Sequence, residues 1–150
     1  MAHTRQPDEA VFKAVLPEVV DGKPFPAFPP SAHLAVIVGD PSKPGPYAIK
    51  VKAPFGVKLM PHWRPENRID TVMSGDFYIG FGDRFDGEKV TTNPPGSVIV
   101  LPDDTPHFYW AKSGEYVTQI TAIGPLGLGY LDPHDDPREQ SRPSPNPPTH

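Results

Sequence analysis

The 23 prolines among the 150 residues leave this chain few ways to fold. Proline lacks a backbone N–H and holds φ at about −65°, so it interrupts helix interiors and is confined to edges, bulges and turns in β-sheets. Because the prolines are spread along the whole chain, they leave room for short strands and turns but not for long helices. The sequence therefore predicts an all-β protein.

Segments rich in β-branched and aromatic residues alternate with turn-forming sequences such as NPPG and KSG. One helical candidate covers residues 8–15. Many short strands without a helix among them are typical of a β-sandwich or β-barrel. We predict strands at residues 34–38, 47–53, 57–63, 69–73, 76–82, 88–92, 97–101, 107–111, 116–123 and 126–131.

The length of the chain fits one domain with one core. We expect residues 34–131 to form the barrel and residues 1–33 to lie across it as a strap. Residues 132–150 are rich in proline and poor in large apolar side chains, so they can bury too little surface to order themselves. They are predicted to form a flexible tail.

Composition argues against several classes of function. The net charge of −4 and the scattered lysines and arginines supply no basic face, so no nucleic-acid partner is expected. No apolar run reaches the roughly 18 residues of a membrane helix, and the N-terminus lacks the apolar core of a secretory signal. We therefore expect a cytoplasmic protein without a membrane partner. The absence of cysteine excludes thiolate catalysis and cysteine-ligated metals.

Two segments place glycine, histidine and proline at characteristic intervals. The first contains Gly56, His62 and Gly75, and the second contains Gly96, Pro102 and His107. This spacing resembles the two sequence motifs of the cupin family. The resemblance implies a cupin-like double-stranded β-helix, which is a jelly-roll barrel of the RmlC type. At four motif positions the residue differs from the family pattern of His, Glu, Gly and Asn: Arg64, Arg68, Asp104 and Ala111.

The resemblance implies that positions 62, 64, 68 and 107 point into the barrel, where the family holds a transition metal with three imidazoles and a carboxylate. Arginine has no lone pair to donate and would repel a divalent cation. The cofactor is therefore either none or a divalent Fe, Zn, Ni or Mn ion bound by His62 and His107. In the second case Glu66, Asp70 or Gln119 would complete the ligand set.

The two arginines admit three interpretations. Arg64 and Arg68 could form a cationic pocket that binds a carboxylate or phosphate in the two-pronged geometry of a guanidinium group. They could instead pair internally with Glu66, Asp70 or Asp76, because buried cations need partners. They could also face solvent, which is a close alternative for Arg64 because it lies in a turn next to a proline.

Five further residues are candidates for binding a substrate: Asp70, Tyr78, Tyr109, Gln119 and Thr121. Strand alternation puts Tyr109 on the same face as His107. Gln119 and Thr121 also share one face of a strand, which suggests a cavity lined with polar groups. For either tyrosine, packing in the core is the alternative role.

Three functions follow from these residues. The first is a metal-independent lyase, isomerase or cyclase, in which His62 or His107 moves a proton and the arginines bind an anionic substrate. The second is a metal-dependent oxygenase or hydrolase with a reduced ligand set. The third is a protein that binds a small anion without catalysis. The expected partner is a small anionic or polar organic molecule, and the resemblance to small cupins implies a homodimer.

Overall fold

The computed structural model describes residues 32–64, 66–101 and 105–136, together with the backbone of three two-residue strands nearer the N-terminus. A short 3-10 helix, Pro133–Asp135, follows the last strand. The strands are β1 Lys13–Ala14, β2 Val19–Val20, β3 Lys23–Pro24, β4 His33–Val38, β5 Gly45–Ala53, β6 Lys58–Trp63, β7 Arg68–Ser74, β8 Phe77–Phe81, β9 Thr91–Asn93, β10 Val98–Leu101, β11 His107–Trp110, β12 Tyr116–Gly124 and β13 Gly129–Tyr130.

The strands form two main antiparallel sheets. The six-stranded sheet has the order β1-β4-β5-β12-β7-β10, and the five-stranded sheet has the order β13-β6-β11-β8-β9. Strands β2 and β3 pair separately. Buried residues of both sheets form one hydrophobic core, with Ile49, Val51 and Ile120 from the larger sheet and Leu59 and Ile79 from the smaller. The all-β prediction is confirmed.

Alternation of side chains creates this core. Strands β5 and β12 pair over nine residues, and on both strands every second residue is buried. On β7 the same alternation buries Arg68, Asp70 and Val72. The larger sheet therefore carries two ionisable side chains on its inner face.

A glycine is required at the turn between β7 and β8. Gly75 has φ +69°, and a Cβ there would lie 2.1 Å from the carbonyl oxygen of Glu115. Any other residue would combine a disfavoured left-handed backbone conformation with this overlap. The turn predicted from the Ser-Gly sequence is thus held tightly against the start of β12.

The predicted strands overlap the observed ones, with two marked differences in length. The strand predicted at 88–92 begins only at Thr91, and the one predicted at 126–131 shrinks to Gly129–Tyr130. The helical candidate at 8–15 is wrong at Lys13–Ala14, which pair with β4 as a strand, and the rest of it lies outside the described residues. The other strap residues before Ala32, and tail residues 137–150, also lie outside them.

Within the described part of the chain, no helix has the length and apolarity needed to cross a membrane.

Candidate functional site

Six polar residues meet inside the barrel, and we call them the interior polar cluster: His62, Arg64, Arg68, Asp70, His107 and Tyr109. Each is at most 4% exposed. They come from β6 and the residue after it, from β7 and from β11. All six are ionisable, and arginine and aspartate almost never lie fully buried unless they are paired or functional.

A β-bulge on β6 turns His62 inward. His62 lies opposite His107 in the pairing of β6 with β11, whereas Leu59, three residues earlier, lies opposite Tyr109, two residues later. The extra residue on β6 allows both Leu59 and His62 to be buried, which strict alternation would forbid. Pro61 lies within this irregular stretch, where proline is tolerated because a regular hydrogen-bond ladder is interrupted.

The two imidazoles are held in the same tautomer. His62 Nδ1 lies 2.7 Å from the Met60 carbonyl oxygen, and His107 Nδ1 lies 2.7 Å from that of Thr105. A carbonyl oxygen only accepts, so each Nδ1–H donates and each Nε2 keeps its lone pair. Both Nε2 atoms are buried without a hydrogen-bond partner among the described residues. The ring centroids are 4.3 Å apart, so the two lone pairs belong to one site.

Both imidazoles are neutral at physiological pH. Burial, reinforced by the nearby Arg64 guanidinium, lowers the pKa of His107 to about 3. The same two causes hold the pKa of His62 well below its ordinary value, and His107 lowers it further. A buried imidazolium next to a guanidinium would be poorly solvated and repelled. The site therefore presents two proton acceptors beside a fixed cation.

Arg68 has internal partners. Its Nη2 donates to Glu66 Oε1 and, at 3.4 Å, to the carbonyl oxygen of Gly127. It thus joins the turn before β7 to the loop after β12. The alternative of an internal ion pair therefore applies to Arg68, although its Nε and Nη1 atoms have no partner among the described residues.

Arg64 lies at the centre of the cluster. It is 1% exposed, so the alternative in which it faces solvent is wrong. Its charge contributes to the lowered pKa of His62 and His107 and of Arg68. It also opposes the raised pKa of Asp70 and Tyr109. Arg64 therefore acts on every one of these side chains, and Arg68 adds a second positive charge that acts on His62, His107, Asp70 and Tyr109.

Asp70 and Tyr109 form a buried pair. The Tyr109 hydroxyl donates to Asp70 Oδ2 at 3.3 Å, and Oδ1 has no partner among the described residues. Burial raises the pKa of Asp70, against the opposing effect of Arg64 and Arg68. Burial likewise raises the pKa of Tyr109, so its hydroxyl stays protonated and acts as a donor.

A cavity of about 20 Å³ lies against Asp70 and Tyr109, with space for a water molecule. Thr118 and Ile120 line it from β12. Gln119 and Thr121 have the opposite orientation: Thr121 is exposed and Gln119 is half-buried on the outer face. The prediction that these two line the interior is wrong, and Thr118 is the polar residue that the sequence analysis missed. Thr118 has the same parity along β12 as the apolar residues 116, 120 and 122, and this pattern indicates that it lies on the inner face.

Tyr78 does not belong to the site. Phe77 and Ile79 are the residues of β8 that pack in the hydrophobic core, so Tyr78 between them points to the other face. There it pairs with Trp110 and lies under Lys112 Nζ, at 5.8 Å from the ring centroid. The prediction for this tyrosine is wrong because the alternation on β8 begins at Phe77. The structure brings the other predicted residues together, namely His62, Arg64, Arg68, Asp70, His107 and Tyr109.

Among the described residues, the interior polar cluster offers a metal ion two imidazole donors next to a buried guanidinium group. His62 and His107 have the Nδ1 hydrogen bonds that orient metal-ligating histidines. However, the described residues contain no group of three or more histidine, aspartate or glutamate side chains placed to hold a metal. The guanidinium group of Arg64 lies near both imidazoles and would repel a cation.

No protein-family model and no curated protein sequence matches the chain significantly. Solved structures do match it. The polyketide cyclase RemF from Streptomyces resistomycificus superimposes with a TM-score of 0.69 and 13% identity, over 93% of this chain and 92% of RemF. KdgF from Halomonas sp. gives 0.59 and 17%, over 82% and 94% of the two chains.

An RmlC-like cupin protein from Ralstonia eutropha matches with a TM-score of 0.64 and 18% identity, over 91% of this chain and 76% of that one. Identities this low establish a shared fold and leave the chemistry open. The two antiparallel sheets, the histidine pair on facing strands and these superpositions agree with one another. The chain therefore has the cupin fold, the RmlC-like jelly roll.

Proposed function

We propose that this chain is a small-molecule enzyme of the lyase, isomerase or cyclase type that acts on an anionic or polar organic substrate without a metal. The observation that carries the proposal is the pair of buried Nε2 lone pairs, of His62 and His107, beside the buried Arg64 guanidinium. A base and a fixed cation in one desolvated site are what removal of a proton next to a carbonyl group requires.

In the first step, Nε2 of His62 or His107 takes a proton from a carbon next to the substrate carbonyl. The electrons move into the carbonyl group to form an enolate, whose negative charge is stabilised by Arg64. In an elimination the enolate re-forms the carbonyl and expels a leaving group from the neighbouring carbon, and the imidazolium gives its proton to that group. In a cyclisation the enolate carbon attacks a second carbonyl carbon of the same substrate, and the imidazolium gives its proton to the alkoxide that forms. In an isomerisation the imidazolium returns the proton at a different position of the enolate. The lowered pKa makes the imidazoles weak bases in the free protein. A bound anion would offset the charge of Arg64, raise the pKa and so strengthen the base only when substrate is present.

The two arginines have different roles in this proposal. Arg64 binds the anionic part of the substrate, because its charge acts on both imidazoles. Arg68 is a positioning residue, because it donates to Glu66 and to Gly127 and so ties two loops together. Tyr109 lies in ring contact with both imidazoles. Its hydroxyl donates its one hydrogen to Asp70, so towards a substrate hydroxyl group it can act only as an acceptor.

The similar structures support the class of reaction. RemF, which aligns with 93% of this chain, is a polyketide cyclase, and a DMSP lyase from Ruegeria pomeroyi aligns with 68%. Ring closure at a carbon next to a carbonyl and elimination from such a carbon both begin with the proton transfer described above. The cyclase-type reaction is favoured because that likeness extends over nearly the whole chain.

The direct experiment is a binding and exchange assay. Small carboxylates and β-keto carboxylates would be screened by thermal shift, and hits would be followed by NMR for exchange of the α-proton in D2O. We expect exchange above the uncatalysed rate with wild-type protein, its loss in whichever of His62→Gln and His107→Gln removes the base, and its retention in the matched control His134→Gln, whose side chain is 94% exposed. Binding without exchange would make the chain a binding protein.

Elemental analysis of untagged protein tests the metal-dependent alternative. We expect less than stoichiometric transition metal and no response of exchange to chelators. A stoichiometric metal that is lost in His62→Ala would overturn the metal-independent proposal and support an oxygenase or hydrolase with a reduced ligand set.

A further inference from the structure

Tyr47 is a buried tyrosine to which the proposed reaction gives no role. It lies on β5, is 1% exposed and packs in the hydrophobic core. Its hydroxyl group is buried and has no hydrogen-bond partner among the described residues. A buried hydroxyl group without a partner costs free energy, so folded proteins seldom contain one unless a ligand or a water molecule completes it. The Tyr47 hydroxyl group is therefore a candidate for binding a ligand.

The strand register places Tyr47 close to Arg68 on the inner face of the six-stranded sheet. Tyr47 lies opposite Ala122 of β12, and Ala122 lies opposite Arg68 of β7. All three residues are buried, and the methyl group of Ala122 is too short to separate the two longer side chains. Burial raises the pKa of Tyr47, and Arg68 is the charged group that opposes this increase most strongly. The hydroxyl group and the guanidinium group thus face the same part of the barrel interior.

Arg68 and its partner Glu66 also have unused hydrogen-bonding atoms. Arg68 donates to Glu66 and to the Gly127 carbonyl oxygen through Nη2 alone. Its Nε and Nη1 atoms, and Oε2 of Glu66, have no hydrogen-bond partner among the described residues. Together with the Tyr47 hydroxyl group, these atoms supply several donors and one acceptor in a buried region.

The charges of this region determine which group fits it. The Glu66 carboxylate compensates the charge of Arg68, and their side chains are only 15% and 0% exposed. A second anionic group here would be repelled by Glu66 with little screening from solvent. A hydroxyl group can accept a hydrogen bond from Tyr47 or Arg68 and donate its own hydrogen to Glu66. The region therefore favours an uncharged hydroxyl group.

We propose, on the basis of the function proposed above, that Tyr47, Arg68 and Glu66 form a second subsite that binds a hydroxyl group of the substrate. Arg64 and the two imidazoles come from the side of the five-stranded sheet, whereas Tyr47 and Arg68 come from the six-stranded sheet. Packed sheets lie about 10 Å apart, so the substrate spans the interior between them. Its class is a hydroxy carboxylate, in which several carbons separate the carboxylate at Arg64 from the hydroxyl group.

Isothermal titration calorimetry with matched acids tests the proposal. The probes are the ω-hydroxy acid, the unsubstituted acid and the dicarboxylic acid of the butane, pentane and hexane skeletons. In wild type, we expect one ω-hydroxy acid to bind about 10-fold more tightly than the unsubstituted acid of the same length, as for a hydrogen bond to a charged group. Tyr47→Phe should remove most of this preference without changing the affinity for the unsubstituted acid.

Tyr116→Phe is the matched control. It removes the hydroxyl group of another buried tyrosine, which lies at the opposite end of β12 from Ala122, so the preference should persist. A preference that persists in Tyr47→Phe would overturn the proposal. Wild-type protein that binds none of the acids, or binds all of them equally, would also overturn it.

Two further measurements address folding and charge. Because the Tyr47 hydroxyl group has no partner among the described residues, the urea midpoint of Tyr47→Phe should equal or exceed that of wild type. A lower midpoint would mean that the chain itself already binds this hydroxyl group, and would overturn the subsite. Glu66→Gln should shift the preference towards the dicarboxylic acid, because Arg68 then keeps its charge. An unchanged preference would contradict the role of Glu66 and with it the proposal.

These readouts separate the subsite from the proposed reaction. A preference for the hydroxy acid that depends on Tyr47, without exchange of the α-proton, would retain the subsite and overturn the enzymatic function. Exchange of the α-proton without such a preference would retain the function and overturn the subsite.

Discussion

His62 and His107 lie opposite each other on β6 and β11, and each donates its Nδ1 hydrogen to the backbone carbonyl two residues earlier in the chain. The two imidazoles therefore have the same tautomer and the same role as acceptors. Their equivalence raises the question of which one removes the proton and which one only binds.

Single replacement of the histidines answers this question. We expect the variant that loses the base to lower the α-proton exchange rate by about 10²- to 10⁴-fold, the usual contribution of a positioned base. The other variant should mainly weaken binding of the ligand. Exchange rates measured at saturating and at limiting ligand separate the two effects. If both variants exchanged the α-proton at the wild-type rate, neither histidine could be the base.

Stability should fall with decreasing pH. The pKa of His107 is about 3 in the folded protein, and that of His62 is also lowered, against about 6.5 when unfolded. Between these values the unfolded chain binds more protons, so the free energy of unfolding decreases by at most about 1.4 kcal/mol per pH unit for each histidine. The raised pKa of Asp70 acts in the opposite direction at more acidic pH.

Urea unfolding at pH 7, 6 and 5 measures this dependence. His107→Gln should flatten the decrease by up to one histidine's share, because glutamine does not titrate. A decrease that is the same in wild type and variant would mean that the pKa of His107 is not lowered by folding.

The two arginines should respond differently to replacement. Arg68→Met leaves Glu66 without its cation and the Gly127 carbonyl without a donor, so we expect a loss of about 3–5 kcal/mol in the free energy of unfolding. Arg64→Gln should instead raise the pKa of both histidines, because its charge lowers both. NMR titration of the imidazole resonances measures the second effect. Unchanged titration in Arg64→Gln would place the guanidinium away from the pair.

Removing one hydroxyl group tests the Asp70–Tyr109 pair. Tyr109→Phe deprives a buried carboxyl group of its donor, and we expect a cost of about 1–3 kcal/mol in unfolding free energy. Tyr78→Phe is the matched control, since Tyr78 lies on the outer face beside Lys112 and should change stability by less than about 0.5 kcal/mol. Chemical denaturation of both variants is the measurement, and a larger loss in Tyr78→Phe would refute the assignment of Tyr109.

Much of the fold, and all six residues of the interior polar cluster, could be predicted from the sequence. Turn residues delimit the strands, and the motif spacing locates His62, His107 and the two arginines. Whether Arg64 points into the barrel or to solvent could not be predicted, because it follows β6 next to a proline, where strand alternation no longer applies. The bulge on β6 could not be predicted from the sequence either, because it depends on the pairing of β6 with β11.

Strand β12 shows why alternation failed there. Its inner face carries Thr118 and Ile120, and its outer face carries Thr121 and Ile123, so both faces mix polar and apolar residues. Ile123 is 61% exposed on the outer face, yet an apolar residue there makes the hydrophobicity pattern predict a buried face. The exposed Ile123 is thus the reason why the pattern did not identify the inner face of this strand.

The hydrogen bonds that orient the imidazoles come from the main chain at Met60 and Thr105. Every amino acid supplies the same carbonyl oxygen, so substitutions at these two positions can accumulate without altering which ring nitrogen carries the proton. The two Nε2 atoms therefore remain acceptors whichever side chains occupy positions 60 and 105. A search for distant relatives of this site should compare backbone geometry before the two histidines rather than residue identity.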